Sequence, residues 1–135
     1  MDAAKLKDIE LFQGLSSKQR DQLSPWLDEI DMNAGRELVT QDTLGHEFFV
    51  VLDGTCEVHD GSTHLADIGA GDFFGEIALL ETDRRVATVT ATSPVRLAVM
   101  SRADFRAMQS RFPDIAQRLH DAIAARNTNR AARTQ

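Results

Sequence analysis

The chain has 135 residues, of which 42% are hydrophobic and 27% charged, the balance of one soluble globular domain and not of a disordered tail. Its formal net charge of −6 excludes the chain-wide basic surface that non-specific nucleic-acid binding requires. No apolar run reaches the roughly 20 residues that span a bilayer, no apolar signal core follows Met1-Asp2-Ala3-Ala4-Lys5, and the lone Cys56 rules out an internal disulfide, so a reducing cytoplasm is the expected location.

Leu6, Ile9 and Phe12 fall at helical spacing, with Gly14 placed to end the turn. Ser16 and Gln19 form the pattern of a capping box and predict a second short helix through Leu23, after which Pro25 and Trp26 lead the chain out. From residue 28 to 100 short β-rich runs alternate with turn signals. The runs are Glu37 to Thr40, Phe48 to Leu52, Thr55 to His59, Thr63 to Ile68, Val86 to Thr92 and Val95 to Met100. Asp53-Gly54 and Asp60-Gly61 each stand between two of them and each predict a hairpin. Strands at this spacing imply a sandwich, barrel or jelly roll. Period-2 alternation puts Cys56 beside Val58 on an apolar face, as a buried and inert thiol.

Helix returns after Met100. Ser101 with Asp104 offers a cap, and Phe105 and Met108 share a face. Phe112-Pro113 breaks that helix, and Pro113 suits the first turn of the next, where its missing N–H costs nothing. Ile115, Leu119, Ala122 and Ile123 make the last helix amphipathic, and residues 127–135 read as a frayed polar tail. Charge follows the same division: residues 1–100 carry a balance of −10 and residues 101–135 one of +4, which reads as a solvated basic helix.

The segment from Phe73 to Val89 carries the chemistry. It interrupts the β pattern with one turn of helix formers, Glu76 to Leu80, preceded by Gly75 and followed by Arg84-Arg85. A helix start offers free N–H groups to an anion, and arginine binds phosphate bidentately. Glu76 would repel a phosphate, but a carboxylate accepts well from a ribose 2′-hydroxyl. Phosphate and ribose within one segment point to a nucleotide. The same residues also fit a plainer arrangement, in which Glu76 caps its helix and both arginines pair with Glu81 and Asp83 on the surface.

Phe74-Gly75-Glu76-Ile77-Ala78-Leu79-Leu80, followed by Arg85-Val86-Ala87-Thr88-Val89, resembles the phosphate-binding cassette of cyclic nucleotide-binding domains. That family includes regulatory subunits of cyclic-AMP-dependent kinase, catabolite activator proteins and cyclic-nucleotide-gated channels. Ala34-Gly35-Arg36-Glu37 and Phe49-Val50-Val51-Leu52-Asp53-Gly54 also resemble its early glycine-bearing strands. The resemblance covers residues 1–126 and implies an α+β, mainly β fold: a double-stranded β-helix or jelly-roll-like β-roll over 28–100, with N-terminal helices over 1–27, a cassette over 74–89 and two C-terminal helices over 101–126.

The resemblance further implies that Glu76 accepts from the ribose 2′-hydroxyl and that Gly75 lets the backbone approach the sugar. The Ala78 N–H would bind a phosphate oxygen, Arg85 would neutralise the phosphate, and the Ala87 N–H would contact it too, with Phe74 and Ile77 completing the cassette. Arg84 stands where many members have proline and is read as auxiliary charge. Val86 lacks the hydroxyl that cyclic-GMP-selective members carry at this position. A buried amino group left unpaired costs roughly 1–3 kcal/mol, which favours cyclic AMP over cyclic GMP. On the last helix Arg126 falls about 20° from Ile115, on the apolar stripe. It reads either as a snorkelling side chain at a helix end or as a cap stacking on the purine, as in family members.

The reading that follows is a stand-alone cyclic-nucleotide sensor whose last helix, hinged near Phe112-Pro113, closes over the base and signals to an unidentified effector protein. Such a chain is expected to be a monomer or weak dimer, without direct nucleic-acid or membrane contact. The runner-up is a non-binding β-roll used as an interaction scaffold. An enzyme is not expected. No metal site is expected either, because His46, His59, His64 and His120 include no His-x-His pair.

Overall fold

Short strands with one apolar face are not stable singly, and in the computed structural model those of this chain pair into two four-stranded antiparallel sheets. The structure describes residues 1–76, 79–80 and 84–134, with side chains for all of these except 123 and 126–134. One sheet joins β1 (Asp28–Met32), β8 (Val95–Ser101), β3 (Glu47–Asp53) and β6 (Phe73–Phe74) in the spatial order β1-β8-β3-β6. The other joins β2 (Glu37–Val39), β7 (Thr88–Ala91), β4 (Thr55–Asp60) and β5 (Thr63–Gly69) in the order β2-β7-β4-β5. With the flanking helices this is the mainly β, jelly-roll-like roll that the sequence implies.

The central strand β3 explains how two cores share one wall. Its side chains alternate, so Phe48 and Val50 enter a core with the helices, and Phe49 and Val51 enter a second core between the sheets. All four are buried, which is why this stretch reads as a continuous apolar run and not as an alternating one. Cys56 lies in the second core, fully buried, as its alternation implies.

The ends of the chain form the first core. Leu6, Ile9 and Phe12 are buried as expected, but they lie on two 3-10 segments, Ala3–Asp8 and Glu10–Phe12. Their i, i+3 spacing matches three residues per turn. The capping box is present at α1 (Ser17–Leu23): Ser16 Oγ accepts from the Gln19 N–H at 3.1 Å, and Gln19 Oε1 accepts from the Ser16 N–H at 2.9 Å. Ser101 Oγ accepts from the Asp104 N–H at 3.2 Å and starts α2 (Arg102–Arg111). The break at Phe112 leads into α3 (Pro113–Thr134), whose Ile115 and Leu119 are fully buried. Helix therefore continues through residues read as a frayed tail. Ala and Arg are strong helix formers, and propagation adds one hydrogen bond per residue once a helix has started. Among the described residues no helix is long and apolar enough to cross a membrane.

Three further expectations change. β1 carries three acidic residues and pairs on one side only, and β6 has two residues, so neither has a β signature of its own. The run from Val86 shortens to Thr88–Ala91. Asp60-Gly61 closes a hairpin between β4 and β5, but Asp53-Gly54 carries the chain from one sheet to the other, since β3 and β4 do not pair. The Asp-Gly signal reports a chain able to adopt positive φ, and a corner uses that capacity as well as a hairpin does. Gly54 has φ +93°, and a Cβ there would stand 2.3 Å from the Pro94 carbonyl oxygen and 2.8 Å from Val95 Cγ1.

Gly54→Ala is expected to destabilise the fold by about 2–5 kcal/mol, from left-handed strain of ~1–2 kcal/mol plus overpacking of ~1–3 kcal/mol. Gly35→Ala, with φ +86° and nothing within 4 Å, is expected to show the strain alone. Urea denaturation of both variants measures the difference, and equal losses would mean that the corner is not sterically closed. A second expectation concerns Cys56, whose thiol burial pushes up from its ordinary value of 9.0. Below that value both folded and unfolded chains keep the proton, and Cys56 adds no pH dependence. Above it the unfolded chain releases the proton first, so stability falls as pH rises. Urea midpoints at pH 7 and pH 10 should show a smaller alkaline loss in Cys56→Ala than in the parent.

Candidate functional site

Arg84 and Arg85 are adjacent in sequence but differ in surroundings. The backbone of Arg85 is held on both sides by the β2–β3 loop: its N–H donates to the Thr43 carbonyl at 2.7 Å, and its own carbonyl accepts from the Asp42 N–H at 2.8 Å. These bonds turn the Arg85 side chain inward, where it is only 6% exposed. Its Nη2 donates to the Glu47 carbonyl at 2.9 Å and its Nη1 to the Gly75 carbonyl at 3.2 Å. The guanidinium carbon lies 5.8 Å from the centre of the Phe49 ring. Arg84 is exposed and donates through Nη1 to the Asp42 carbonyl at 2.8 Å. The plainer surface pairing of Arg85 is thus replaced by two carbonyl bonds inside the protein.

Glu76 is fully buried. Burial pushes the Arg85 guanidinium below its ordinary value, the Glu47 and Glu76 carboxylates pull it back up, and Arg102 adds to the downward push. Four formal charges, two of each sign, therefore share this region. Two of the five N–H groups of Arg85 are engaged by carbonyls, which fixes the plane of the guanidinium. Among the described residues the others have no acceptor and can meet an anion.

Gly75 makes this approach sterically possible. It has φ +93°, and a Cβ would stand 2.7 Å from Arg85 Nη1 and 2.9 Å from the Glu47 carbonyl oxygen. The glycine expected to admit a sugar admits, in this structure, the arginine and the β3 backbone. Phe74 follows from β6–β3 pairing: it stands opposite Phe49 in register, with the rings stacked at 4.8 Å and 11°. Phe74, Phe49, Arg85 and Gly75 thus form one contiguous group.

Beside this group lies a cavity of about 270 Å³, close to the lower end of small-molecule pockets. Arg85 lines it, with Ile30, Met32, Leu38 and Leu97 among the apolar walls. A fixed cation beside an apolar wall suits a small organic anion with a flat or apolar body. Phe74, Gly75, Glu76, Val86 and Ala87 are not among its walls. Phe74 and Gly75 act on it through Phe49 and Arg85, while Val86 is half-buried and Ala87 buried. Ile77, Ala78 and the side chain of Arg126 lie outside the described residues. The sequence reading missed the apolar walls. Their alternation was visible, but Ile30 and Leu38 belong to different sheets, and only the fold brings them to one opening.

Residues 29–112 match the family profile described as cyclic nucleotide-binding domain. The chain is similar to a cAMP-dependent protein kinase regulatory subunit of Debaryomyces hansenii, 35% identical over 101 residues, covering 74% of this chain and 22% of that protein. It is similar in structure to a cAMP-bound PfPKA-R, with TM-score 0.86 and 22% identity over 94% of this chain and 44% of that one. A further neighbour is the regulatory subunit of a cAMP-independent protein kinase A from Trypanosoma brucei, with TM-score 0.78 and 24% identity over 88% of this chain and 43% of that one. The chain spans about a fifth to a third of the length of the curated relatives it matches.

Gly75→Ala is expected to cost about 2–5 kcal/mol, by the same sum of strain and overpacking, and to displace the Arg85 side chain. Arg84→Ala is expected to stay within about 0.5 kcal/mol of the parent, as surface substitutions do. Denaturation curves for the two variants check this, and a neutral Gly75→Ala would contradict the close approach of Arg85.

Proposed function

The chain belongs to the cyclic nucleotide-binding domain family, and on that premise we propose that it binds cyclic AMP in preference to cyclic GMP, with Arg85 holding the cyclic phosphate. The observation that supports this most is the Arg85 guanidinium, buried, fixed by two carbonyls and lining the cavity. An arginine held in place before binding loses little side-chain entropy on meeting the phosphate. Domains of this family are regulatory binding modules and not catalysts. The two structural neighbours include a cAMP-bound and a cAMP-independent protein, so chemistry at the site, and not the fold, decides the ligand.

In this reading the cassette is residues 74–89. Glu76 accepts from the ribose 2′-hydroxyl, a role that matches its burial beside Arg85. The backbone N–H groups of Ala78 and Ala87 take the phosphate oxygens, and Phe74 and Ile77 shape the segment. Val86 is half-buried and offers no hydroxyl to the guanine amino group, which supports the preference for cyclic AMP. Arg126 caps the base when α3 closes. Closure has a competitor: α3 is docked by buried Ile115 and Leu119, and Arg118 Nη1 donates to the Leu11 carbonyl at 2.6 Å. Ligand then shifts a balance between docked and closed arrangements by its differential affinity for them.

Calorimetric titration of refolded, nucleotide-free protein tests the proposal. Cyclic AMP is expected to bind tightly and cyclic GMP about 5- to 150-fold more weakly, the range set by one unpaired polar group. Arg85→Ala is expected to lose roughly 2–5 kcal/mol of binding, and Arg85→Lys, which keeps the charge but not the fork, serves as the variant less disruptive to folding. Glu76→Gln should weaken cyclic AMP but not its 2′-deoxy analogue. Flat titrations for both nucleotides, with monodisperse protein, would leave the interaction scaffold as the reading.

A further inference from the structure

We infer that the outer face of the β4–β5 hairpin is a binding site for a divalent transition-metal ion of the zinc class, with Glu57, His64 and Asp67 as its ligands. Strand register carries the argument. Glu57 stands opposite Asp67, and His59 opposite His64. Residues directly opposite share a face, and so do Glu57 and His59, two apart on one strand. Strict alternation would send His64 to the other side from Asp67. The register shift between Val58 and His59 leaves Leu65 as the extra residue and turns His64 outward, the re-aiming that a β-bulge performs. One ligand atom from each of Glu57, His64 and Asp67 lies within 4.8 Å of the others.

Around a tetrahedral ion at about 2.1 Å, donors sit about 3.4 Å apart, a gap that rotation of exposed side chains closes. His59 Nε2 lies 3.0 Å from Glu57 Oε2, the position of a partner that orients a ligating carboxylate. The adjoining strand places Thr90 opposite Glu57 and Thr88 opposite His59, so no cation stands in register with the cluster. Imidazole with carboxylates selects a borderline ion such as Zn²⁺ over Ca²⁺ or Mg²⁺, which take oxygen ligands. His64 Nε2 also lies 2.9 Å from Asp67 Oδ1. Ligation through Nε2 replaces that hydrogen bond, and the proton passes to Nδ1 of a neutral ring or to water from a protonated one.

The test is a calorimetric Zn²⁺ titration of the full chain without nucleotide, with histidine-ring NMR to locate the ion. One saturable site is expected, with shifts at His64. His64→Ala and Asp67→Ala should each weaken binding at least about tenfold, and His59→Ala about 10- to 100-fold, as orienting partners of ligands do. His120→Ala, at an exposed histidine on α3, should bind as the parent does. His64, Asp67 and His120 are exposed and His59 is half-buried, and unchanged circular dichroism of each variant verifies folding. No saturable binding by the parent, unchanged binding by His64→Ala, or equal losses in His64→Ala and His120→Ala would overturn the assignment.

Discussion

A guanidinium 6% exposed must find acceptors and opposing charge inside the protein, and satisfying Arg85 organises the segment around it. Its backbone is tied to Thr43 and Asp42 and its side chain to the carbonyls of Glu47 and Gly75. Those bonds connect the β2–β3 loop, the start of β3 and the residue after β6. They also explain why β7 begins only at Thr88: the preceding chain is committed to the loop and is not available to a ladder. Gly75 is then constrained from two directions, by its own φ and by the atoms a Cβ would strike.

The site is built from rigid parts. β3 is buried on both faces, one against the helices and one against the second sheet. Phe49, on its inter-sheet face, stacks on Phe74 and lies under Arg85. A shift of the helical layer acts on β3 through Phe48, which packs on Phe105 at 5.0 Å, and Phe49 is the next residue along the same backbone. That adjacency gives a physical route between the helices and the cation at the cavity. The hairpin cluster lies on the opposite side of the second sheet from this core, so an ion there and an anion at Arg85 have separate surroundings.

Local chemistry made much of this legible. The Ser16–Gln19 box and the Ser101 cap depend on residues three apart, and both are present as read. The cassette could be recognised because its residues are contiguous: Gly75, Glu76 and Arg85 lie within one short stretch. What was misread also has a local cause. Leu6, Ile9 and Phe12 are compatible with α and 3-10 winding alike. Asp53-Gly54 shows that the chain can turn, not which sheet receives the next strand. The proximity of His59 and His64 comes from a bulge and a cross-strand pairing, which no spacing along the chain expresses.

By itself, then, the sequence determined the alternation that makes strands, the caps that start helices and the acid–glycine–arginine order of the cassette, because each arises among near neighbours on the chain. The tertiary structure alone decided that Arg85 is buried while Arg84 is exposed. It alone brought Ile30, Leu38 and Leu97 from three strands to one cavity and placed Glu57, His64 and Asp67 on one face. The physical reason is the same in each case: these relations depend on which strands pair and in what register, and pairing is a long-range choice settled by burying all the apolar faces at once.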